Sequence, residues 1–499
     1  MKTANIIPFF VIIPLASAFL ITVFKNRPKN FSDFVVILAT FSLLLLSLNS
    51  LQLLNSSKMI IYKIGGWLPP LGICLVVDGL AGFMLVTVNL TVFLVMVYAI
   101  RYMQLYTDKW KFHSLFMLML AGMNGVITSG DFFNLYVFLE LASICGYALV
   151  AFGTEPEDLE AAFKYTIMGS LASLFILLGI GLIYCYVSTL NMADISFALS
   201  AKPNGALIGF VSVLFLAGFG LKAALVPFHA WLPDAHSSAP TPVSAVLSGV
   251  LIKTLGIYAL SRVFFNILGI SGNILLVLIV LGMLSMVAGA FLAIVQTDVK
   301  RMFAYSSISQ IGYIIFAFGI GTPLAILGGL FHLFNHAIFK SLLFLNAGAI
   351  EYSTGRRDLR KLGGLGSKLP VTGATSLLGS MSISGIPPLS GFWSKLIIII
   401  ASVQAGYIGF AFIAVLVSII TLAYYLKFQT FAFLGKVDET LTKIKEIPMT
   451  MKLSMVILAG ICVVAGLMLV PLFRPILKSA ADVLSSGTGY RYAVFEALK

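Results

Sequence analysis

Apolar stretches about as long as a bilayer is thick follow one another along this chain almost without pause, and that repetition leaves few folds open. They occupy residues 6–24, 35–54, 80–99, 115–128, 132–152, 165–187, 207–228, 242–264, 274–295, 302–320, 324–350, 370–402, 408–434 and 453–472. At 1.5 Å per residue, roughly 20 apolar residues cross the hydrocarbon. There every backbone group must be bonded within the chain, which only helices and closed barrels achieve, and runs this long exclude barrel strands. The sequence predicts an all-α polytopic membrane protein with about fourteen transmembrane helices. With 60% hydrophobic and only 10% charged residues, too little polar surface remains for soluble domains.

Lysine and arginine set the orientation, because short cytoplasmic loops carry their excess. Lys25, Arg27 and Lys29 follow the first run, Arg101, Lys109 and Lys111 the third, and Lys300 with Arg301 the ninth. Arg356, Arg357, Arg360, Lys361 and Lys368 follow the eleventh, and Lys436, Lys443, Lys445 and Lys452 the thirteenth. All are odd-numbered loops, so both termini are expected outside, while the opposing segment 191–204 carries Lys202 alone. The net charge of +13 is thus a topology signal rather than a stripe for nucleic acid. The run near Met1 has no small-residue cleavage site leading to a soluble domain and is read as the first helix. The tail from Arg474 is expected to lie on the outer surface, with Val483, Leu484, Val494 and Leu498 as its apolar contacts.

Electron-transfer chemistry is not expected in this chain. Its 5 histidines and 4 cysteines are scattered, and no CxxC pair exists to hold a cluster or zinc. Cys74, Cys145, Cys185 and Cys462 read as small core residues. HLFNH has the spacing of two zinc ligands on a helix but lacks the intervening glutamate and a third ligand, and Lys340 opposes a cation. Two axial haem histidines come from opposing helices, whereas these share one face. No cofactor or metal is expected here.

A charge in mid-membrane costs at least ~2.5 kcal/mol, so such residues are functional candidates by default. Glu140 lies in the middle of FFNLYVFLELASICGYALVAF, Lys222 in FLAGFGLKAALVPFHAW, Lys253 in AVLSGVLIKTLGIYAL, and Lys395 after SISGIPPLSGFWS. His332, His336 and Lys340 are spaced four apart and share a helical face, with Asn335 beside them. Desolvation disfavours the charged form of any ionisable group, which brings buried groups closer to exchanging protons near neutral pH. A carboxylate close to a lysine favours its protonated form, and withdrawal of the carboxylate releases the proton. Gly218, Gly220 and Pro227 flank Lys222, and Gly385, Pro387, Pro388 and Gly391 precede Lys395, so both helices should be interrupted. Paired broken helices mark the midplane sites of repeat-built transporters, and two related halves are expected.

Blander roles compete with these. Lys340 and Lys427 have stems long enough to snorkel to an interface, and Lys164 reads as an interface anchor. Glu140, Lys222 and Lys253 could form a purely structural ion pair. His229 and His236 flank the turn AWLPDAHSSAPT, where a capping role weighs as much as a functional one. Glu155, Glu157, Asp158 and Glu160 read as a solvated loop or a docking face.

Five stretches carry a family resemblance: SGDFFNLYVFLELASICGYAL, GFGLKAALVPFHAWLPDAHSSAPTPVSAVLSGVLIKTLGIYAL, DVKRMFAYSSISQIGY, FHLFNHAIFKSLLFLNAG and SGIPPLSGFWSK. In this order they resemble the antiporter-like subunits shared by Mrp cation/proton antiporters, respiratory complex I and membrane-bound hydrogenases. The resemblance covers nearly the whole chain. It implies N-terminal helices over 1–112, two inverted five-helix repeats over 113–264 and 265–434, each with a broken helix, and a C-terminal helix and outer tail over 435–499. It assigns Glu140 and Lys222 as an ion-pair switch, Lys253 as the central relay, His332 and His336 as the link between half-channels, and Lys395 as the terminal exchange residue.

Lysine at 395, where some relatives carry glutamate, together with GDFFNLYVFLE and STLNMADI, is most similar to the Mrp D-type subunit. NHAIFKSLLFLNAG resembles the versions in complex I and hydrogenases, and the long lateral helix of the largest complex I homologue is missing. A D-type chain recruited into a ferredoxin-linked hydrogenase or related respiratory complex fits these features. The resemblance then implies a prokaryotic plasma-membrane location and other membrane subunits as partners, homologous antiporter-like or small Mrp-type ones. It also implies H+ and Na+ as cargo, and iron-sulfur clusters, with nickel-iron or flavin centres as further options, in partner subunits. A stand-alone Mrp Na+/H+ antiporter uses the same lysines, and a transport-inactive scaffold would use none.

Overall fold

A computed structural model describes residues 4–27, 30–435, 441, 444–471 and 474–498. Lys29, Lys436 and Lys443 of the positive loops lie outside the described residues. The chain is built almost wholly of helices. The N-terminal part comprises α1 (Phe9–Val23), α2 (Asn30–Leu54), α3 (Gly79–Tyr102) and α4 (Lys109–Thr128). Then come α5 (Phe132–Val150), α6 (Pro156–Val187), α7 (Met192–Ala201), α8 (Gly205–Lys222), α9 (Trp231–Ser238) and α10 (Thr241–Leu268). The following set is α11 (Gly272–Ile294), α12 (Val299–Ile320), α13 (Pro323–Thr354), α14 (Pro370–Ser384), α15 (Ser390–Gln404) and α16 (Ile408–Phe433). The chain closes with α17 (Met449–Val464), α18 (Arg474–Ser485) and α19 (Tyr490–Leu498).

Each of the fourteen apolar runs coincides with helix over most of its length, and 12 helices among the described residues are long and apolar enough to cross a membrane unbroken. The other two runs are α4, which opens on the polar sequence KWKFH, and 370–402, which divides into α14 and α15 of 15 residues each. Helix starts are capped where the sequence supplies an acceptor. Asp78 receives Ala81 N–H, Asp131 receives Phe133 and Asn134, and Asp298 receives Arg301. Glu155 and Asp158 form a capping box at the start of α6, which places the acidic cluster at the positive end of a helix dipole.

The helices α10, α12 and α13 are buried nearly throughout, whereas α1, α2, α16 and α17 are buried over little more than a third of their length. The charged candidates of α10 and α13 therefore sit in the protein interior. The helices α11 and α12 touch backbone to backbone. A Cβ on Gly282 would stand 2.5 Å from Phe316 N, one on Gly289 2.5 Å from Ser309 N, and one on Gly319 2.6 Å from Ile279 N. Small residues permit such approach where lipid supplies no hydrophobic drive.

Several features depart from the sequence reading, and Cys185, expected in the core, is exposed because it lies on an outward face of α6. Segment 55–78 holds a two-stranded antiparallel sheet, β1 (Met59–Lys63) with β2 (Cys74–Asp78), in register from Met59↔Asp78 to Lys63↔Cys74. Its Ile and Val pairs suit a strand but are interrupted by GGWLPPLG, far short of a membrane span. Segment 191–204, expected as a loop, starts with α7, capped by the Asn191 side chain. Lys300, counted among the loop charges, is 2% exposed and pairs with Glu351 at 2.8 Å. The tail packs as the sequence predicts, with Leu484 and Val494 buried and Val483 and Leu498 half-buried against the core.

Candidate functional site

Both expected interruptions are present, and each carries a lysine. Lys222 is the last residue of α8; residues 223–230 leave the helix and α9 resumes at Trp231. Gly220 is still helical, so the break begins later than the glycines suggest. Its carbonyl accepts Leu225 N–H at 2.9 Å, Ala224 takes a left-handed φ of 54°, and Pro227 lies within the break. Gly256 of α10 seats this turn, because a Cβ there would be 2.6 Å from Ala223 N. The second break spans 385–389, opening at Gly385 with φ 84° and containing Pro387 and Pro388; Lys395 lies one turn into α15.

Lys222 Nζ stands 3.6 Å from Glu140 Oε1 and donates to Ser143 Oγ at 2.8 Å and Tyr147 Oη at 3.3 Å. Glu140 accepts from Ser173 Oγ on α6. The lysine is buried while the carboxylate is a quarter exposed. Tyr147 meets Tyr165 edge-on at 4.6 Å, and Tyr165 stacks on Trp231 at 4.2 Å, whose Nε1 donates to Leu221 O at 3.2 Å. An aromatic ladder thus connects the ion pair to α9.

Lys253 lies on the most buried helix, which winds as π turns at Leu247–Leu251, Lys253–Tyr258 and Arg262–Leu268. Its Nζ curls back to Ser248 O and Gly249 O, both at 2.5 Å. Such irregular turns occur often at functional sites. No hydrogen bond joins Lys253 to Lys222 among the described residues.

On α13 the stripe faces inward. His332 bonds Gln310 through Nε2 at 3.1 Å and Ser394 through Nδ1 at 2.9 Å, so it bridges α12 and the broken pair. His336 lies 6.5 Å away between ring centroids, and neither of its nitrogens has a protein partner among the described residues. Lys395 follows Ser394; its Nζ has no hydrogen-bond partner among those residues and sits 4.8 Å over the Tyr313 ring.

Lys340 does not snorkel. It is fully buried, donating to Phe303 O at 2.7 Å and Tyr425 Oη at 3.1 Å, and it belongs with the central residues that the sequence sets apart. Lys427 is half-buried, and its ammonium binds Ile294 O and Gln296 O at 2.8 and 2.9 Å, closing the end of α11. His236 is not a turn residue at a surface: it is fully buried and stacks on Phe344 at 4.8 Å. Lys164 is exposed and pairs with Glu160 and Asp234. Sequence reasoning misses Asp78 and Arg262, a buried bidentate pair at 2.7 and 2.8 Å between β2 and α10. An arginine deep in an apolar run is a detectable signal, but position 262 lies close enough to the end of its run to pass for an anchor.

These features define a polytopic helical membrane protein with buried amines and imidazoles on α8, α10, α13 and α15 and two broken helices. The family of NADH:quinone oxidoreductase and Mrp antiporter transmembrane subunits matches residues 129–421, and the chain belongs to it. The N-type subunit of the NADH-quinone oxidoreductase of Desulforudis audaxviator is 37% identical over 440 residues, 87% of each chain. The D-type subunit of the Na+/H+ antiporter of Alkalihalophilus pseudofirmus is 32% identical over 485 residues, covering 96% of this chain and 97% of that one. A chain of the Mrp complex from Dietzia superposes over the full length of both with a TM-score of 0.91 at 26% identity. A chain of the archaeal membrane-bound sulfane sulfur reductase, a respiratory membrane complex, covers 99% of this chain and 100% of its own with a TM-score of 0.90 at 30% identity. The chain is an antiporter-like membrane subunit, homologous to Mrp D-type and complex I N-type subunits.

Proposed function

We propose that this subunit moves protons through the membrane along Glu140, Lys222, Lys253, the stripe of Lys340, His336 and His332, and Lys395. The observation that carries the reading is the Lys222–Glu140 pair at the end of a broken helix, since 3.6 Å is close enough to hold a proton on the lysine and loose enough to be parted. Ser143 and Tyr147 then supply hydroxyls within proton-transfer reach. In this reading the fourteen apolar runs all cross the bilayer, with the divided run 370–402 as one crossing. The halves 113–264 and 265–434 are inverted repeats, and both termini face outward in a prokaryotic plasma membrane.

The energy source lies in partner subunits. One host is a redox-driven complex whose iron-sulfur, nickel-iron or flavin centres reside in other chains, as the likeness to the sulfane sulfur reductase and to the N-type relative supports. A stand-alone Mrp Na+/H+ antiporter is the second reading, favoured by the 32% identity to a D-type relative over nearly the full length. Both start from assembly with other membrane subunits.

The test is proton transport by the purified complex in sealed vesicles, with Lys222→Ala and Glu140→Gln introduced separately. Loss of transport in complexes that still assemble supports the reading; intact transport makes the chain a scaffold. Metal and flavin content of the same preparation separates the two hosts.

A further inference from the structure

We propose that the cavity between the ends of α1 and α2 and the turn 103–110 binds the phosphodiester headgroup of an anionic phospholipid. The cavity measures about 820 Å³ and lies well away from the buried amines and imidazoles. Its cations divide into two kinds. Lys109 is held by Asp33 at 2.7 Å, and Lys111, just outside, by Asp108 at 2.6 Å, so both carboxylates at the cavity are already matched. The side chains of Lys25 and Arg27 line the cavity and have neither a carboxylate nor a hydrogen-bond partner among the described residues, only the faces of Trp110 and Phe24 at 5.8 and 5.9 Å. The free charge of the cavity is therefore positive.

Position argues for a lipid rather than a free anion. The cavity opens where the apolar flanks of α1 and α2 end, with Val23 and Phe34 exposed at its margins. A headgroup on Lys25 and Arg27 can lay its chains along those flanks. Trp110 lines the cavity where indoles anchor to the headgroup layer. Basic pockets between helices on the lysine-rich face suit anionic headgroups, and each basic residue near the surface changes binding by roughly 5-fold.

Native mass spectrometry of the intact complex, extracted in mild detergent and titrated with phosphatidylglycerol, phosphatidylcholine or inorganic phosphate, tests this. The wild type should retain phosphatidylglycerol over phosphatidylcholine. The exposed double variant Lys25→Gln/Arg27→Gln should retain it roughly 30-fold less. A charge-matched variant of another basic loop, Arg360→Gln/Lys361→Gln, should behave as wild type. Equal loss in both variants, equal retention of phosphatidylcholine, or displacement of the lipid by inorganic phosphate overturns the proposal. The assembled mass in the same spectrum reports that each variant is intact.

Discussion

Lys222 is nearer to the Ser143 hydroxyl, at 2.8 Å, than to the Glu140 carboxylate, at 3.6 Å. The charge pair is thus set by two contacts of different strength, and the hydroxyl fixes where the ammonium rests. Lys222→Ala and Glu140→Gln are expected to lower proton transport on the order of 10²-fold, as loss of a proton-transfer group does. Ser143→Ala should give a smaller loss and shift the pH profile of transport, measured by dye quenching in vesicles.

Lys395 faces the ring of Tyr313, whose hydroxyl is separately bound to Ala414 O and Ser418 Oγ at 2.5 and 2.9 Å. Tyr313→Phe keeps the ring and should transport nearly as wild type. Tyr313→Leu removes the face that steadies the ammonium and should lower transport roughly 5-fold. Equal effects of the two substitutions would point to the hydroxyl instead.

Asp234 on α9 binds Lys164 of α6 at 2.9 Å and Arg301 of α12 at 2.7 Å. Partial burial on its own would raise its carboxyl above the ordinary 3.8, but the bonds and charges of Lys164 and Arg301 outweigh it and hold the group lower. A lowered folded-state value gives stability that is present above the unfolded value and lost as pH falls through the folded one. Asp234→Asn should therefore lower thermal stability at neutral pH by about 1 kcal/mol. The gap to wild type should narrow only below about pH 4 in melting curves.

Asp78 and Arg262 are buried against each other, and Asp78 also caps α3. Asp78→Asn keeps the cap but strands the guanidinium, at a cost of about 3–5 kcal/mol. Asp78→Asn/Arg262→Met should recover most of that loss in a thermal-shift assay, because the pair is removed as a unit.

Gly256 tests the seat of the first break. A methyl group 2.6 Å from Ala223 N must displace the turn after Lys222, so Gly256→Ala should cost about 1–3 kcal/mol. Transport should fall together with stability, whereas Gly460→Ala, in open space, should change neither.

The sequence discloses what hydrophobicity and breakage control. Apolar runs locate the 12 described helices long and apolar enough to cross a membrane, and glycine and proline locate both interruptions to within a few residues. It does not disclose how long side chains resolve their choices. Lys340 has the length to reach an interface, and only the packing of α12, α13 and α16 shows it turned inward to Phe303 O and Tyr425 Oη. His236 sits in a polar, proline-rich stretch that reads as a turn, and its burial depends on Phe344, more than a hundred residues away. The π winding around Lys253 has no composition of its own, since VLSGVLIKTLGIY reads equally well as an α-helix.

The glycine contacts of α11 and α12 have a mechanical consequence. Two backbones this close cannot slide without one residue climbing over another, so the pair behaves as a rigid stator. The turn after Lys222 is braced in the same way, with Gly256 seated against the Ala223 backbone, so this joint is held as firmly as the α11–α12 pair.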